Sequence, residues 1–404
     1  MLPNDLLDVT NNVIGEFVAA ALLFILGYIS RGLVSRIKEV RKNELLRARQ
    51  QQVLPKNTAK WLIQYYLDRN RLDDLYAVKF DGKHRYIPFL TKPAWHDEPL
   101  NEDLIVNRSA VLPRSKARVN KRIIKKRKHL IGLDNNGRLW DDPILCVSSI
   151  ATEGRPRLTV ELANYFQYLS ACGGVEEETY NAINWPGRLT PLRDNFVSDV
   201  DTLSSCGLKA HGMGMQVAFV YKDTDDYKIL IQRRVFSVAT YGGALAVVPT
   251  FGCLPVGGES ESEISLLHNF LREFYEELYS SPEVERESSH IDPKWFYHVD
   301  PVSSLVALHD SGDFVFEILG VGFDALNGEV NIAALALIND IEFMRRQISM
   351  MKANWEINNI YPISINSPQL QDDILNYQFQ PGSAFAITKA LQRLNERYAV
   401  TSEV

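Results

Sequence analysis

The chain reads as an α+β protein whose globular body follows an N-terminal transmembrane helix. Three features carry that reading. An almost uncharged apolar run occupies residues 12–34. From about residue 206, short β-rich runs alternate with turn residues. A long amphipathic helix pattern then follows the third of those runs. Hydrophobic residues at 46% and charged residues at 23% are ordinary for a globular protein and exclude a fibrous or disordered class. A length of 404 residues suits two or three units.

The apolar run is VIGEFVAAALLFILGYI, Val13 to Ile29, with Glu16 as its only charge. Its uninterrupted part, Phe17 to Ile29, falls short of the ~20 residues that a span needs, and extension through Val34 reaches that length once Arg31 snorkels to the headgroups. Apolar residues surround this helix instead of forming one stripe, which separates it from an amphipathic surface helix. A cleaved signal peptide would want a basic start, yet Asp5 and Asp8 are the charges that precede the run. Arg36, Lys38, Arg41, Lys42, Arg47 and Arg49 follow it, in a basic juxtamembrane helix over 35–54. By the positive-inside rule they place the C-terminal body in the cytoplasm, with the lipid bilayer as a partner.

The net charge of −6 matters less than its distribution. Arg31 to Lys128 is rich in Lys and Arg, whereas the chain after Val175 is mostly acidic. Cys146, Cys172, Cys206 and Cys253 show no CxxC or CxH spacing, so reduced thiols are expected in place of a disulfide framework or a zinc site. Residues 55–205 form a middle region of unassigned fold. It opens on a helix, TAKWLIQYYLDRN, and continues through apolar runs such as DLYAVKF and HRYIPFL. Next comes a basic cluster: Arg114, Lys116, Arg118, Lys121, Arg122, Lys125, Lys126, Arg127 and Lys128. It suits contact with anionic lipid or a nucleotide phosphate, or else a solvated basic helix. LTVELANYFQYLSAC reads as helical, with Gly173 and Gly174 as its stop.

The third part spans 206–400. MQVAFVYK and YKILIQRRV, separated by Asp223 to Asp226, signal a hairpin, and ALAVVP a third strand. Phe251 to Pro282 then reads FGCLPVGGESESEISLLHNFLREFYEELYSSP. Ser260 or Ser262 can cap its helix, with Glu263 as capping-box partner. Ile264, Leu267, Phe270, Leu271, Phe274 and Leu278 form a buried stripe at helical spacing. Glu273, Glu276 and Glu277, at i, i+3 and i+4, put three carboxylates near one turn. Hard divalent cations bind such oxygens, while a bare acidic triplet also serves as a solvated face. Further on, VSSLVALHD and DFVFEILGVGFDA read as paired strands. IAALALINDIEFMRRQISMM reads as a helix, INNIYPISI as a strand and GSAFAITKALQRLNERY as a closing helix. His268 reads as a helix-surface histidine. Arg233 and Arg234 end the second strand. No P-loop and no Ser/His/Asp or Cys/His arrangement with local context is present.

Gly258 followed by Arg272-Glu273-Phe274-x-Glu276-Glu277 resembles the Nudix signature, which runs Gly, five spacers, Glu, seven spacers, Arg-Glu-apolar-x-Glu-Glu-x-Gly. GCLPVGG resembles the glycine-containing loop of that family. The likeness covers roughly residues 210–398 and implies an α/β/α sandwich with a mixed sheet. It further implies Glu273, Glu276 and Glu277 as catalytic, Mg²⁺-binding carboxylates, with Arg272 orienting them. Gly257, Gly258, Arg233, Arg234 and Arg272 are the implied ligand contacts. Two positions depart: Ile264 stands where the family has its upstream Glu, and Tyr279 where it has its final Gly.

The whole arrangement resembles the Nudix-type membrane effectors of bacterial CD-NTase anti-phage systems (CBASS). That resemblance implies a single-pass protein of the bacterial inner membrane. Its cytosolic domain would sense a cyclic oligonucleotide, form a homo-oligomer on activation and disrupt the membrane, without contacting a nucleic-acid polymer. The alternative is a membrane-tethered, Mg²⁺-dependent hydrolase of a nucleoside diphosphate derivative.

Overall fold

A computed structural model describes residues 55–101, 104–106, 112–131, 141–151, 153–235, 238, 240–255, 261–279, 294–352 and 357–398. The expected span over 12–34 and juxtamembrane helix over 35–54 lie outside these residues. Among the described residues no helix is long and apolar enough to cross a membrane. The two longest helices show why. Tyr165–Asn184 carries Glu176, Glu177 and Glu178, and Pro381–Tyr398 carries Lys389, Arg393, Glu396 and Arg397. The transmembrane part of the expected fold class and the single-pass inner-membrane address are corrected accordingly: the described protein is a mixed α+β fold around a curled sheet.

Residues 52–404 form one compact unit. Helix α1 (Pro55–Leu67) leads into a hairpin of β1 (Leu75–Phe80) and β2 (Lys83–Leu90). Helix α2 (Lys121–Ile131) precedes a second hairpin, β3 (Pro143–Ala151) and β4 (Arg157–Asn164), then α3 (Tyr165–Asn184), α4 (Pro191–Phe196) and α5 (Val200–Ser204). The long strand β5 (His211–Asp223) follows, with β6 (Asp226–Arg234), β7 (Leu245–Val247), β8 (Thr250–Gly252) and α6 (Leu266–Tyr279). The chain continues through α7 (Val302–Ser311), β9 (Phe314–Asp324), β10 (Val330–Ile338), α8 (Ile341–Met350) and β11 (Ile357–Ser364). It closes with α9 (Pro368–Leu375) and α10 (Pro381–Tyr398).

The main path of the sheet runs β1-β2-β9-β10-β5-β3-β4, with β6, β7, β8 and β11 branching from β5 and β6. Strand β5 organises it, pairing parallel with β10 from Met213 to Tyr221 and antiparallel with β6, β8 and β3. Both hairpins of the middle region thus extend the same sheet that carries the 206–400 segment. Side chains alternate across β5 with the pleat's period of two. Val217, Phe219 and Tyr221 enter a core with Phe270 and Phe274 of α6, whereas Ala218 and Val220 enter a core with Phe385, Ile387, Leu391 and Leu394 of α10. Helices therefore cover both faces.

Four local expectations change. LTVELAN is strand β4, and the helix begins only at Tyr165, where a capping box between Asn164 and Gln167 starts it. It runs on through Gly173 and Gly174 to Asn184, because those glycines let α2 pack closely: a Cβ on Gly174 would stand 3.2 Å from both Ile123 and Leu192. VSSLVALHD is helix α7, stopped by Gly312 at a left-handed φ of 86°. IAALALI is the central strand β10, buried along its whole length, so its apolar run reflects burial on both faces and not helical periodicity.

Candidate functional site

Helix α6 starts at Leu266, later than the serines at 260 and 262 suggest, and Ser265 caps it by accepting from the His268 amide at 3.3 Å. One turn of 3₁₀ helix, Glu261–Ile264, leads into it. That turn sets which side chain meets Arg272. The isoleucine is buried in the apolar core, and Glu263, one residue earlier, is 2% exposed and faces Arg272. The guanidinium of Arg272 donates to Glu263 at 3.2 Å, to Asn269 at 3.1 Å and to Glu273 at 3.3 Å. Asn269 in turn donates to the carbonyls of Glu263 and Ser265. A charge taken out of water is tolerated only when paired and hydrogen-bonded, and Arg272 is so held through both Nη groups, while its Nε is buried without a partner. The flanking carboxylates hold it firmly protonated against the penalty of its burial.

The other carboxylates of this turn diverge. Glu277 is buried and accepts from the Thr250 amide at 3.4 Å, while Glu276 is half-buried. From Thr250 a buried polar chain crosses the sheet. Thr250 Oγ1 donates to Gln216 at 2.6 Å, and Gln216 Nε2 donates to Asn331 at 2.9 Å. Gln380 bonds to Gln216, Thr250 and Ser383. Asn331 donates to the carbonyl of Glu329 at 3.4 Å. The donor chemistry of Glu273, Glu276 and Glu277 suits a hard cation such as Mg²⁺. Among the described residues no group of three His, Cys, Asp or Glu side chains is placed to hold a metal ion. Glu273 accepts from Arg272 and Glu277 from the Thr250 amide.

Glu329 had no motif to announce it, yet it stands where the polar chain ends. Its carboxylate accepts from Tyr168 of α3 at 3.1 Å and from Asn327 at 3.4 Å. Burial raises its pKa, with the charge of Arg234 opposing. A Cβ on Gly214 would lie 3.0 Å from Glu329 Oε1 and 3.1 Å from the Phe251 carbonyl, so only glycine leaves that approach open. Cys253, fully buried, senses the charges of Arg272, Glu273 and Glu329, and its thiol is pushed up to about 12, chiefly by burial. Asp324 accepts from Tyr241 at 2.6 Å and from the Leu326 amide at 2.8 Å, and burial lifts its carboxyl to about 7. The four cysteines are all buried and unpaired.

Of the expected set, Arg272 and Glu273 are in direct contact at 3.3 Å, and the charge of Arg234 acts on Glu329. Arg233 and Arg234 alternate across the strand. Arg233 is exposed, donates to the Gly243 carbonyl at 3.0 Å and bears on Tyr361. The charge of Arg234 acts on Glu329, and its Nε is buried without a hydrogen-bond partner. Gly257 and Gly258 lie outside the described residues. His268 is buried and not on the surface, stacked against Tyr297 with its Nδ1 at 3.3 Å from the hydroxyl. Tyr279, at the family's glycine position, donates to Gln347 of α8 at 2.7 Å. No signal in the sequence marked Glu329, Asn331 or Gln216. A glycine-rich strand, HGMGMQ, was the one hint of a close approach. No family model matches the chain, and no curated protein matches it.

Proposed function

We propose that the 206–400 segment is a Nudix-type domain that works as a receptor for a phosphate-bearing nucleotide, a cyclic oligonucleotide of the kind made in CD-NTase anti-phage systems. One observation supports a receptor over a hydrolase. The box carboxylates serve protein groups, Glu263 and Glu273 clamping Arg272 and Glu277 capping the Thr250 amide, while Arg234 keeps a buried N–H without a partner. A guanidinium with an unsatisfied donor beside a polar chain suits a phosphate oxygen. Ligand binding that favours an oligomer would turn occupancy into a signal.

The test is thermal shift of the full-length protein in Mg²⁺ with cyclic di- and trinucleotides, dinucleotide cofactors and nucleotide sugars, followed by chromatography of the ligand. A stabilising ligand recovered intact supports the receptor, and Arg234→Gln should then lower its affinity about tenfold, the loss of one charge-assisted contact. A consumed ligand makes this an enzyme. The hydrolase reading keeps one specific observation in its favour: Glu276 is half-buried on the same turn as Glu273 and Glu277. Glu276→Gln with Glu277→Gln would abolish turnover in that case.

A further inference from the structure

Helix α2 presents a different surface. Ile123 and Ile124 are buried in the fold, Arg127 is buried against Glu176 of α3, and Lys126 pairs with Glu177 at 2.8 Å. The opposite side of the helix is exposed and carries Lys121, Arg122, Lys125 and Lys128. Just before it, the chain runs beside β4, with the Ser115 amide donating to the Leu162 carbonyl at 2.8 Å. Side chains there alternate, Ser115 and Ala117 inward, Lys116 and Arg118 outward. None of Lys116, Arg118, Lys121, Arg122 and Lys125 is paired with a carboxylate among the described residues. The track is long for its charge. The helix from 121 to 128 contributes ~10 Å and the preceding segment up to ~20 Å, about one turn of a duplex.

We propose that this basic track docks the phosphate backbone of a nucleic-acid duplex. Unpaired cations repeated along one helix face and the segment before it offer successive contacts to the phosphates of a backbone. The apolar face of α2, which an interfacial helix would insert into lipid, is already consumed by the fold. The cation carriers contact backbone only, so binding is independent of base sequence. The proposal is separate from the nucleotide receptor site and sets aside the expectation that no nucleic-acid polymer is a partner.

The experiment is fluorescence anisotropy of a labelled duplex of mixed sequence with the full-length protein, as a function of salt. Five cations give a slope of log K on log salt of about −4.5, so affinity falls about 500-fold between 50 and 200 mM salt. Replacing Lys121, Arg122 and Lys125 together by Gln should bring the slope to about −2. The charge-matched control, Lys56→Gln with Lys60→Gln and Lys79→Gln, should leave it unchanged. Circular dichroism checks that both variants are folded. Absence of salt-dependent binding at low salt overturns the proposal. So does an equal loss in the control, which reduces the effect to net charge. Binding to phosphatidylglycerol vesicles but not to duplex also overturns it and assigns the face to lipid.

Discussion

Arg272 shows how a residue that a motif resemblance marks as functional can hold a structural position. Its guanidinium lies in the core between Glu263 and Glu273, so removing it strands two buried carboxylates. Arg272→Met should cost about 3–5 kcal/mol in urea unfolding, the range for breaking a buried pair from one side. Glu263→Gln keeps a polar partner and should cost less. Ile264→Glu, which puts the Nudix signature's residue at its nominal position, would bury a further carboxylate in the apolar core, and should destabilise the protein without gaining turnover. Asp324 supplies a pH signature. Its folded-state pKa of about 7 lies above the ordinary value of 3.8, so the folded state favours the neutral carboxyl. Its contribution to stability is fully present below about pH 4 and is lost as pH rises through about 7. Asp324→Asn, which can still accept from Tyr241 and Leu326, should flatten that part of a melting-temperature profile taken from pH 4 to 8. An unchanged slope would remove Asp324 as its source.

Helix α6 and strand β5 meet through Phe219, Phe270 and Phe274, whose rings lie 5.7–6.4 Å apart. Phe270 also touches the rings of Phe314 and Phe316 on β9, so the helix that carries the acidic turn is pinned to the sheet by aromatic packing. Phe270→Ala should lose about 3–5 kcal/mol by denaturant titration. Helix α3 is held at the other end of β5 by a similar intimacy. A Cβ on Gly212 would come within 2.6 Å of the Tyr168 ring, so Gly212→Ala overpacks the contact and should cost about 1–3 kcal/mol. The same change would draw Tyr168 from Glu329, so on the receptor proposal nucleotide affinity should fall with it. A stability loss with unaltered affinity would separate Tyr168 from the site.

For the molecule as a unit, the consequence is that 206–400 does not stand apart. Strands β3 and β4 extend the sheet beyond β5, β1 and β2 pair onto β9, and Arg193 of α4 donates to the carbonyls of Ala325 and Leu326 at 2.7 and 2.5 Å. A fragment beginning at residue 206 exposes the β5 and β9 edges and leaves Glu329 without Tyr168. It should aggregate or fold weakly by gel filtration and circular dichroism, whereas the chain from residue 52 should give a cooperative transition. A monomeric, cooperatively folding 206–404 fragment would overturn that view.

Much was legible from local pattern. The β5–β6 hairpin, the strands β7 and β11, the α6 stripe and the closing helix α10 all follow from periodicity and turn residues, which depend on near neighbours in the chain. The basic face of α2 was visible as composition. Misreadings came where burial overrode periodicity: β10 is apolar throughout because both its faces are covered, and α7 mimics a strand because few of its residues are buried. Only the fold brought Tyr168, Gln216, Arg234 and Glu329, far apart in sequence, to one place, and only the 3₁₀ turn before α6 moved the partner of Arg272 from position 264 to 263. Motif spacing assumes regular helix up to the box. Where the backbone tightens ahead of it, the side chain that reaches the guanidinium is chosen by three-dimensional register and not by count along the chain.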